Sequence, residues 1–512
     1  MLACFADMNP TLACVYMNLV YMRAFLLKST GVVPMKCISG TSRMPLAERS
    51  RWWKFDLAKR EETLMSNPTL RHDTLPDFIR SRVATSYEKR ATERWGDRHF
   101  FRSAQARSGA IRLDTNDYLY LSCHSKIVRA RADAIVHCGD PTLMSATFLA
   151  GDSPQVAFER AIAEHWRTND AILCQSGWAA NVGLLQAIAG PSVTVYVDHA
   201  AHMSLWEGAR RAEAVVKSFR HNDVVHLERQ IREHGAGIIL VDSVYSTDGS
   251  VCPLAEVAAL SRRYGCVLVV DESHTLGTHG PNGAGLVEQL GLGDSVAFRT
   301  ASLSKAFASR GGVIGCPADF VSYFRLEAKD AIFSSAVHAY EAIAFQKTLE
   351  VVREEEWRRT ALRANAAVLR EGLAELGYPV AASESQIVAL EAGSEYATLE
   401  LRDLLAERGV LGAPFMAPAT ATQRALVRLT VTCGLDPLAI DHVLTVCGEL
   451  RERIGVEAWA ATRRERRTRP AARTEPADAP RVATAGRAAI SAPAHSARPT
   501  GFREWPARAV GA

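Results

Sequence analysis

Short, continuously apolar runs rich in β-branched residues recur along this chain with helix-length segments between them. That alternation restricts the fold more than any other feature of the sequence. The runs are Val193–Val197, Ile238–Val241, Val267–Val270 and Val296–Thr300. Stretches with helical periodicity lie among them at Asn181–Ala189, Val224–His234 and Leu254–Tyr264. A strand that is apolar at every position is covered on both faces, and strands that alternate with helices assemble into a mostly parallel sheet. The expectation is an α/β fold with helices on both sides of that sheet.

After residue 341 the pattern changes. Long charged helices are expected over Glu341–Glu371, then a few strands including Ala425–Thr432, and a closing helix at Pro437–Arg451. This predicts a large domain at 126–340 and a smaller α+β domain at 341–455, preceded by an N-terminal arm at 65–125. From about Trp459 the chain turns to Arg, Ala, Pro and Thr with little periodic apolar content. Such a segment buries too little surface to offset its ordering entropy, so 456–512 is expected to be a disordered tail. Residues 1–64 are expected to lie outside the core, with Met65 a candidate start. The apolar stretch Thr11–Leu27 is broken by Asn18 and Arg23. It falls short of the roughly 20 residues that cross a bilayer, and no clean Ala-x-Ala cleavage pattern follows it.

A net charge of +4, much of it from the Arg-rich end, leaves no nucleic-acid footprint on the folded part. The 11 cysteines show no Cys-x-x-Cys pair and no zinc-like spacing, which predicts reduced thiols, a cytoplasmic location and no metal.

Ligands of open α/β sheets bind beyond the carboxyl ends of the strands. Asp271 follows one apolar run directly, with His274 just beyond it. Val296–Thr300 leads into Ala-Ser-Leu-Ser-Lys, which brings Lys305 past another strand end, and Ile238–Asp242 leads into a polar loop holding Ser246. A carboxylate and a lysine on neighbouring strand ends suit pyridoxal phosphate. The carboxylate keeps the pyridine nitrogen protonated, and the lysine forms a Schiff base and moves protons. Taken alone, the pair reads more readily as an ordinary strand-end salt bridge. Gln175-Ser-Gly-Trp-Ala-Ala-Asn181 follows an Ala-Ile-Leu-Cys strand and opens a helix, where Gly177 permits close backbone approach and free N–H groups attract a phosphate. His202, in Asp198-His-Ala-Ala-His-Met-Ser204, offers a flat ring to stack on a pyridine, or is an ordinary satisfied histidine.

The chain order of Ser-Gly-Trp-Ala-Ala-Asn, Asp-x-x-x-His-x-Ser, Asp-Glu-Ser-His and Ser-Leu-Ser-Lys resembles the α-oxoamine synthases, fold-type I pyridoxal-phosphate transferases that condense an amino acid with an acyl-CoA and lose CO2. The resemblance covers about residues 72–451. It implies a mostly parallel seven-stranded sheet in the large domain and a homodimer with shared active sites. Three longer segments, 72–79, 201–210 and 271–285, are similar to the quorum-sensing autoinducer synthases that make α-hydroxyketone signals. Those enzymes join a medium-chain acyl-CoA to 2-aminobutyrate or S-adenosylmethionine.

Roles implied by the resemblance are as follows. Lys305 holds the cofactor and shuttles protons, Asp271 pairs with the ring nitrogen, and His202 stacks on the ring. Ser246 and His274 bond the phenolic oxygen. Gly177, Trp178 and Ser302 hold the phosphate, joined by Ser335 from a second subunit. Arg428 and Asn116 take the substrate, with a solvated strand arginine and a turn-forming Asn-Asp pair as the plainer alternatives. Leu143–Asp152 is bulkier than the Gly-Ser-rich stretch of many family members, which implies either a reshaped substrate entrance or simple packing under the sheet. Another synthase, making 8-amino-7-oxononanoate or 5-aminolevulinate, remains an alternative, as does a fold-type I aminotransferase. A non-catalytic partner subunit would lack the lysine that is present here.

Overall fold

The computed structural model describes residues 75–468, apart from 97, 99, 101–108, 138–143 and 150. The proposed extension at 1–64 and the tail beyond 468 lie outside the described residues. Residues Ser81–Ala479 form one compact unit. Of the other unit, Met1–Arg80 with Pro480–Ala512, only 75–80 are described, and they carry the start of the helix Asp77–Val83.

Eleven strands are present among the described residues. In chain order they are β1 (Ile111–Leu113), β2 (Asp170–Cys174), β3 (Thr194–Asp198), β4 (Val215–Phe219), β5 (Ile238–Asp242), β6 (Val267–Asp271), β7 (Phe298–Ser302), β8 (Gly312–Cys316), β9 (Ile387–Gly393), β10 (Val410–Phe415) and β11 (Ala425–Thr430). Seven of them form one sheet in the order β2-β8-β7-β6-β5-β3-β4. Its strands run parallel except β8, which is antiparallel to both β2 and β7. Helices cover both faces. Leu184, Leu185 and Leu205 pack against Val195, Leu240 and Val269 on one side, and Leu227, Val257 and Ala258 pack against Ile239, Val241 and Leu268 on the other. Alternate residues of each strand thus enter opposite cores, which is why these strands are apolar throughout.

The smaller sheet has the order β1-β10-β11-β9. Its edge strand β1 comes from the expected N-terminal arm and pairs parallel with β10 through Ile111–Val410. The arm is therefore part of the small sheet. The charged region after 341 forms two helices, Ala339–Glu354 and Glu356–Glu375. The first packs on the helices Ser125–His137 and Pro154–Trp166, so it straddles the expected domain boundary.

The expected disordered tail begins too early. Residues Ala460–Thr468 form a helix against β9, and Trp459, Ala461 and Thr462 are buried. Arg464 pairs with Glu391 on β9. Only a few residues go inside, so composition alone conceals the docking.

Behind the strand ends, Arg299 and Glu272 form a fully buried pair. Arg299 also donates to the Trp166 carbonyl at 2.8 Å and contacts Glu288 at 3.0 Å, while Glu272 accepts the Val287 N–H at 3.0 Å. A buried pair of this kind is tolerated only where hydrogen bonds satisfy it. Here it pins the chain that follows Asp271 onto β7.

Candidate active site

Three neighbouring parallel strands end on aspartate: β3 on Asp198, β5 on Asp242 and β6 on Asp271. Asp242 and Asp271 face each other in register, and Thr300 of β7 faces Asp271 from the other side. Burial, reinforced by the neighbouring Asp271 carboxylate, pushes the Asp242 carboxyl well above the usual range. Its Oδ1 accepts the His202 backbone N–H at 3.2 Å.

Asp271 is buried, and its oxygens are assigned separately. Oδ1 accepts the Ser273 N–H at 2.8 Å, and Oδ2 accepts Asn181 Nδ2 at 2.7 Å. Lys305 lies half-buried just past β7. Burial lowers its pKa, Asp271 opposes that shift, and Arg428 adds to it. A lysine depressed in this way has more of the free amine needed to attack a carbonyl.

His202 caps the helix Met203–Arg211. The residue is exposed by surface area, and desolvation by the protein around it lowers its pKa against the pull of Asp271. Trp178 stands edge-on to it with ring centroids 6.3 Å apart. His274 is buried, and burial together with Lys305 and Arg428 holds its pKa well below the usual value. Its Nδ1 lies 2.5 Å from Tyr118 Oη.

The turn into the helix Gly177–Ile188 shows why glycine stands there. A Cβ on Gly177 would fall 2.6 Å from Ser302 Cβ, and one on Gly312 would fall 2.2 Å from the Ser176 carbonyl oxygen. Both glycines let β7, β8 and the helix start pack at backbone contact, which gathers the helix N–H groups, Ser302 and Ser304 at one point. Ser302 Oγ and Ser304 Oγ lie 2.7 Å apart, and the Ser302 N–H donates to Ser273 Oγ at 2.8 Å. A phosphate fits this cradle of N–H and hydroxyl groups.

On the small-domain side, Arg428 of β11 is buried and stacks over the Phe415 ring at 4.4 Å. Its Nη1 donates to the Ser246 carbonyl and its Nη2 to Asn116 Oδ1, both at 2.8 Å. Three sequence-predicted residues thus meet here, with Ser246 contributing its backbone oxygen. A guanidinium has five N–H donors, and these two bonds leave donors for a substrate carboxylate. Arg428 Nε is one of them, buried and without a partner within the protein.

Ser335 is exposed and paired with Ser145 in an isolated bridge. Its carbonyl accepts from the Gln175 side chain at 2.9 Å, beside the Ser176–Gly177 turn. Of the stretch 143–152, residues 143 and 150 lie outside the described residues. Ala146–Phe148 forms one short helical turn with Phe148 exposed.

Sequence reasoning missed Asn181, Ser204, Thr300, Tyr118 and Asp242. Asn181 closes the Ser-Gly-Trp-Ala-Ala-Asn motif, one helical turn after Gly177, so its position on the sheet-facing side was a usable signal. Asp242 was marked by ending an apolar strand. Nothing local pointed to Ser204 or Thr300, whose partners are distant in sequence. Among the described residues no cluster suits a metal ion, the seven cysteines are free, and no helix is long and apolar enough to cross a membrane.

Comparison with known proteins agrees with this geometry. The family model "Aminotransferase class I and II" matches residues 108–446. The chain is 45% identical over 375 residues to the CAI-1 autoinducer synthase of Vibrio campbellii, covering 73% of this chain and 95% of that protein. It is 33% identical over 339 residues to the 8-amino-7-oxononanoate synthase of Alkalilimnicola ehrlichii, covering 65% of this chain and 86% of that protein. A solved structure of serine palmitoyltransferase with pyridoxal phosphate as internal aldimine superposes with a TM-score of 0.64 at 25% identity, covering 68% and 88% of the two chains.

Proposed function

The chain belongs to the aminotransferase class I and II family, and from that premise we propose that it makes an aminoketone precursor of an α-hydroxyketone quorum-sensing autoinducer. It is a pyridoxal-phosphate-dependent acyltransferase of the α-oxoamine synthase type. The proposed substrates are a medium-chain acyl-CoA and either 2-aminobutyrate or S-adenosylmethionine, joined with loss of CO2. The observation that carries the reading is Asp271 at the end of β6, in register with Thr300 of the strand that leads into Lys305, with Arg428 tied to the Ser246 carbonyl in the loop after the adjacent β5. The likeness to the CAI-1 autoinducer synthase of Vibrio campbellii supports the autoinducer reading.

When bound, pyridoxal phosphate supplies an electron sink for negative charge at the substrate α-carbon. Lys305 would be its covalent anchor and would remove and return the α-proton. Asp271 would keep the ring nitrogen protonated and His202 would pack against the ring, with His274 and Ser246 as the polar groups that would hold its phenolic side. The backbone of Gly177 and Trp178, with Ser302, holds the phosphate, and Ser335 of the partner subunit completes that site in a homodimer. Arg428 binds the amino-acid carboxylate bidentately, steered by Asn116. The large sheet serves as the cofactor-binding part and the small sheet β1-β10-β11-β9 carries Arg428, in an enzyme proposed to be cytoplasmic and to need no nucleic acid, metal or membrane.

The test is CoA release from decanoyl-CoA by the purified protein with one amino acid at a time. Release with 2-aminobutyrate or S-adenosylmethionine, but not with glycine, alanine or serine, supports the reading. A preference for glycine, alanine or serine favours another α-oxoamine synthase, as the 8-amino-7-oxononanoate synthase relatives suggest. Amino transfer to a keto acid without CoA release would make it an aminotransferase.

A further inference from the structure

Asn181 sits between Asp271 and His202, and its amide is saturated. The side chain is 1% exposed, and Ser204 and Thr300 beside it are fully buried. Asp271 Oδ2 can only accept, so the amide atom 2.7 Å from it is the donor nitrogen. The second N–H of that nitrogen goes to Ser204 Oγ at 2.8 Å, and the amide oxygen accepts the Thr300 hydroxyl at 2.6 Å. These three contacts fix which end of the amide faces the carboxylate.

The consequence passes along the chain of hydrogen bonds. Ser204 Oγ accepts from Asn181, so its single proton is free to point at His202 Nδ1, 2.7 Å away. The Ser204 backbone N–H also points at Nδ1, at 3.3 Å. The backbone N–H can only donate, so Nδ1 is its acceptor and carries no proton, the Ser204 hydroxyl then donates to the same atom, and the neutral imidazole holds its proton on Nε2. Partial desolvation lowers the His202 pKa, in keeping with a neutral ring.

We infer that Asn181 is a positioning residue that couples Asp271 to His202, orienting the carboxylate and, through Ser204, holding His202 in the tautomer protonated at Nε2. This inference rests on the proposed roles of Asp271 and His202. It means that the group beside the ring nitrogen and the group over the ring face are set by one amide. The stacking histidine also presents an N–H edge to whatever binds next to the cofactor.

The test reads the histidine itself, in the cofactor-free protein. Nitrogen-15 histidine spectra, with the His202 signal assigned by its loss in His202→Gln, should show an unprotonated Nδ1 and a protonated Nε2. Ser204→Ala and Asn181→Ala should each turn this into a tautomer mixture, whereas Ser204→Thr, which keeps the hydroxyl, should retain the wild-type pattern. Asn181→Ala alone should also shift the pH midpoint of the absorbance of bound pyridoxal phosphate, because Asp271 loses a donor. A wild-type His202 protonated at Nδ1, or a tautomer unchanged in both alanine variants, overturns the inference. If pyridoxal phosphate binds with no Lys305-dependent absorbance, the functional reading fails instead, and the histidine spectrum still decides the tautomer.

Discussion

Replacing Arg428 by lysine keeps the charge and removes the fork. In the native protein the guanidinium spans two acceptors, the Ser246 carbonyl and Asn116 Oδ1, each at 2.8 Å, and lies over Phe415. A single ammonium cannot hold both acceptors and still meet a carboxylate with two parallel N–H groups. Losing one charge-assisted hydrogen bond to the substrate costs about 1.5–3 kcal/mol. At about 1.4 kcal/mol per factor of ten, KM for the amino acid should rise by roughly one to two orders of magnitude. The acyl-CoA carries no carboxylate to this site, so its KM should stay within about twofold. Steady-state CoA release, varying each substrate against saturating amounts of the other, measures both. An unchanged amino-acid KM, or a rise confined to the acyl-CoA, would refute the carboxylate role and leave Arg428 a tether between Ser246 and Asn116.

Gly177→Ala forces a Cβ to within 2.6 Å of Ser302 Cβ. The strain should cost about 1–3 kcal/mol, seen as weaker pyridoxal-phosphate binding in equilibrium titration with secondary structure retained. Glu272→Gln removes one of the two carboxylates on buried Arg299 and leaves Glu288, and should lower unfolding stability by about 1–3 kcal/mol in a denaturant titration. Asp242 has a folded pKa raised above its unfolded value of about 3.9. Its contribution to stability is therefore complete below that unfolded value and is lost as pH rises through the folded one. Asp242→Asn, which still accepts the His202 N–H, should gain melting temperature over wild type as pH rises from 4 to 8, and an equal pH slope in the two proteins would contradict this.

The large sheet was legible because burial on both faces leaves strands such as Ile238–Asp242 apolar at every position, a pattern that needs no tertiary knowledge. The helices Val224–His234 and Leu254–Tyr264 were legible for the complementary reason, a polar face at helical spacing. Strand β8 was not, since Gly312 and Gly315 read as loop; both are small because Ser176 and Trp166 press against them. Strand β4 lies at the sheet edge with Lys217 and Ser218 inside it, so its pattern is diluted. In the site, Asp271 and Lys305 could be found because strand ends are where α/β sheets place chemistry. Asn181, Ser204 and Thr300 could not be grouped, because each becomes meaningful only when β6, β7 and two helices bring distant segments within hydrogen-bond reach.

The central claim is that Lys305 drives a decarboxylating condensation of an amino acid with an acyl-CoA. Its most direct test incubates the enzyme with decanoyl-CoA and 2-aminobutyrate carrying carbon-13 in the carboxyl group, following CoA, labelled CO2 and the aminoketone together. The account predicts equal amounts of all three with the wild-type protein and none with Lys305→Ala. CoA release without labelled CO2, or full turnover by Lys305→Ala, would contradict it.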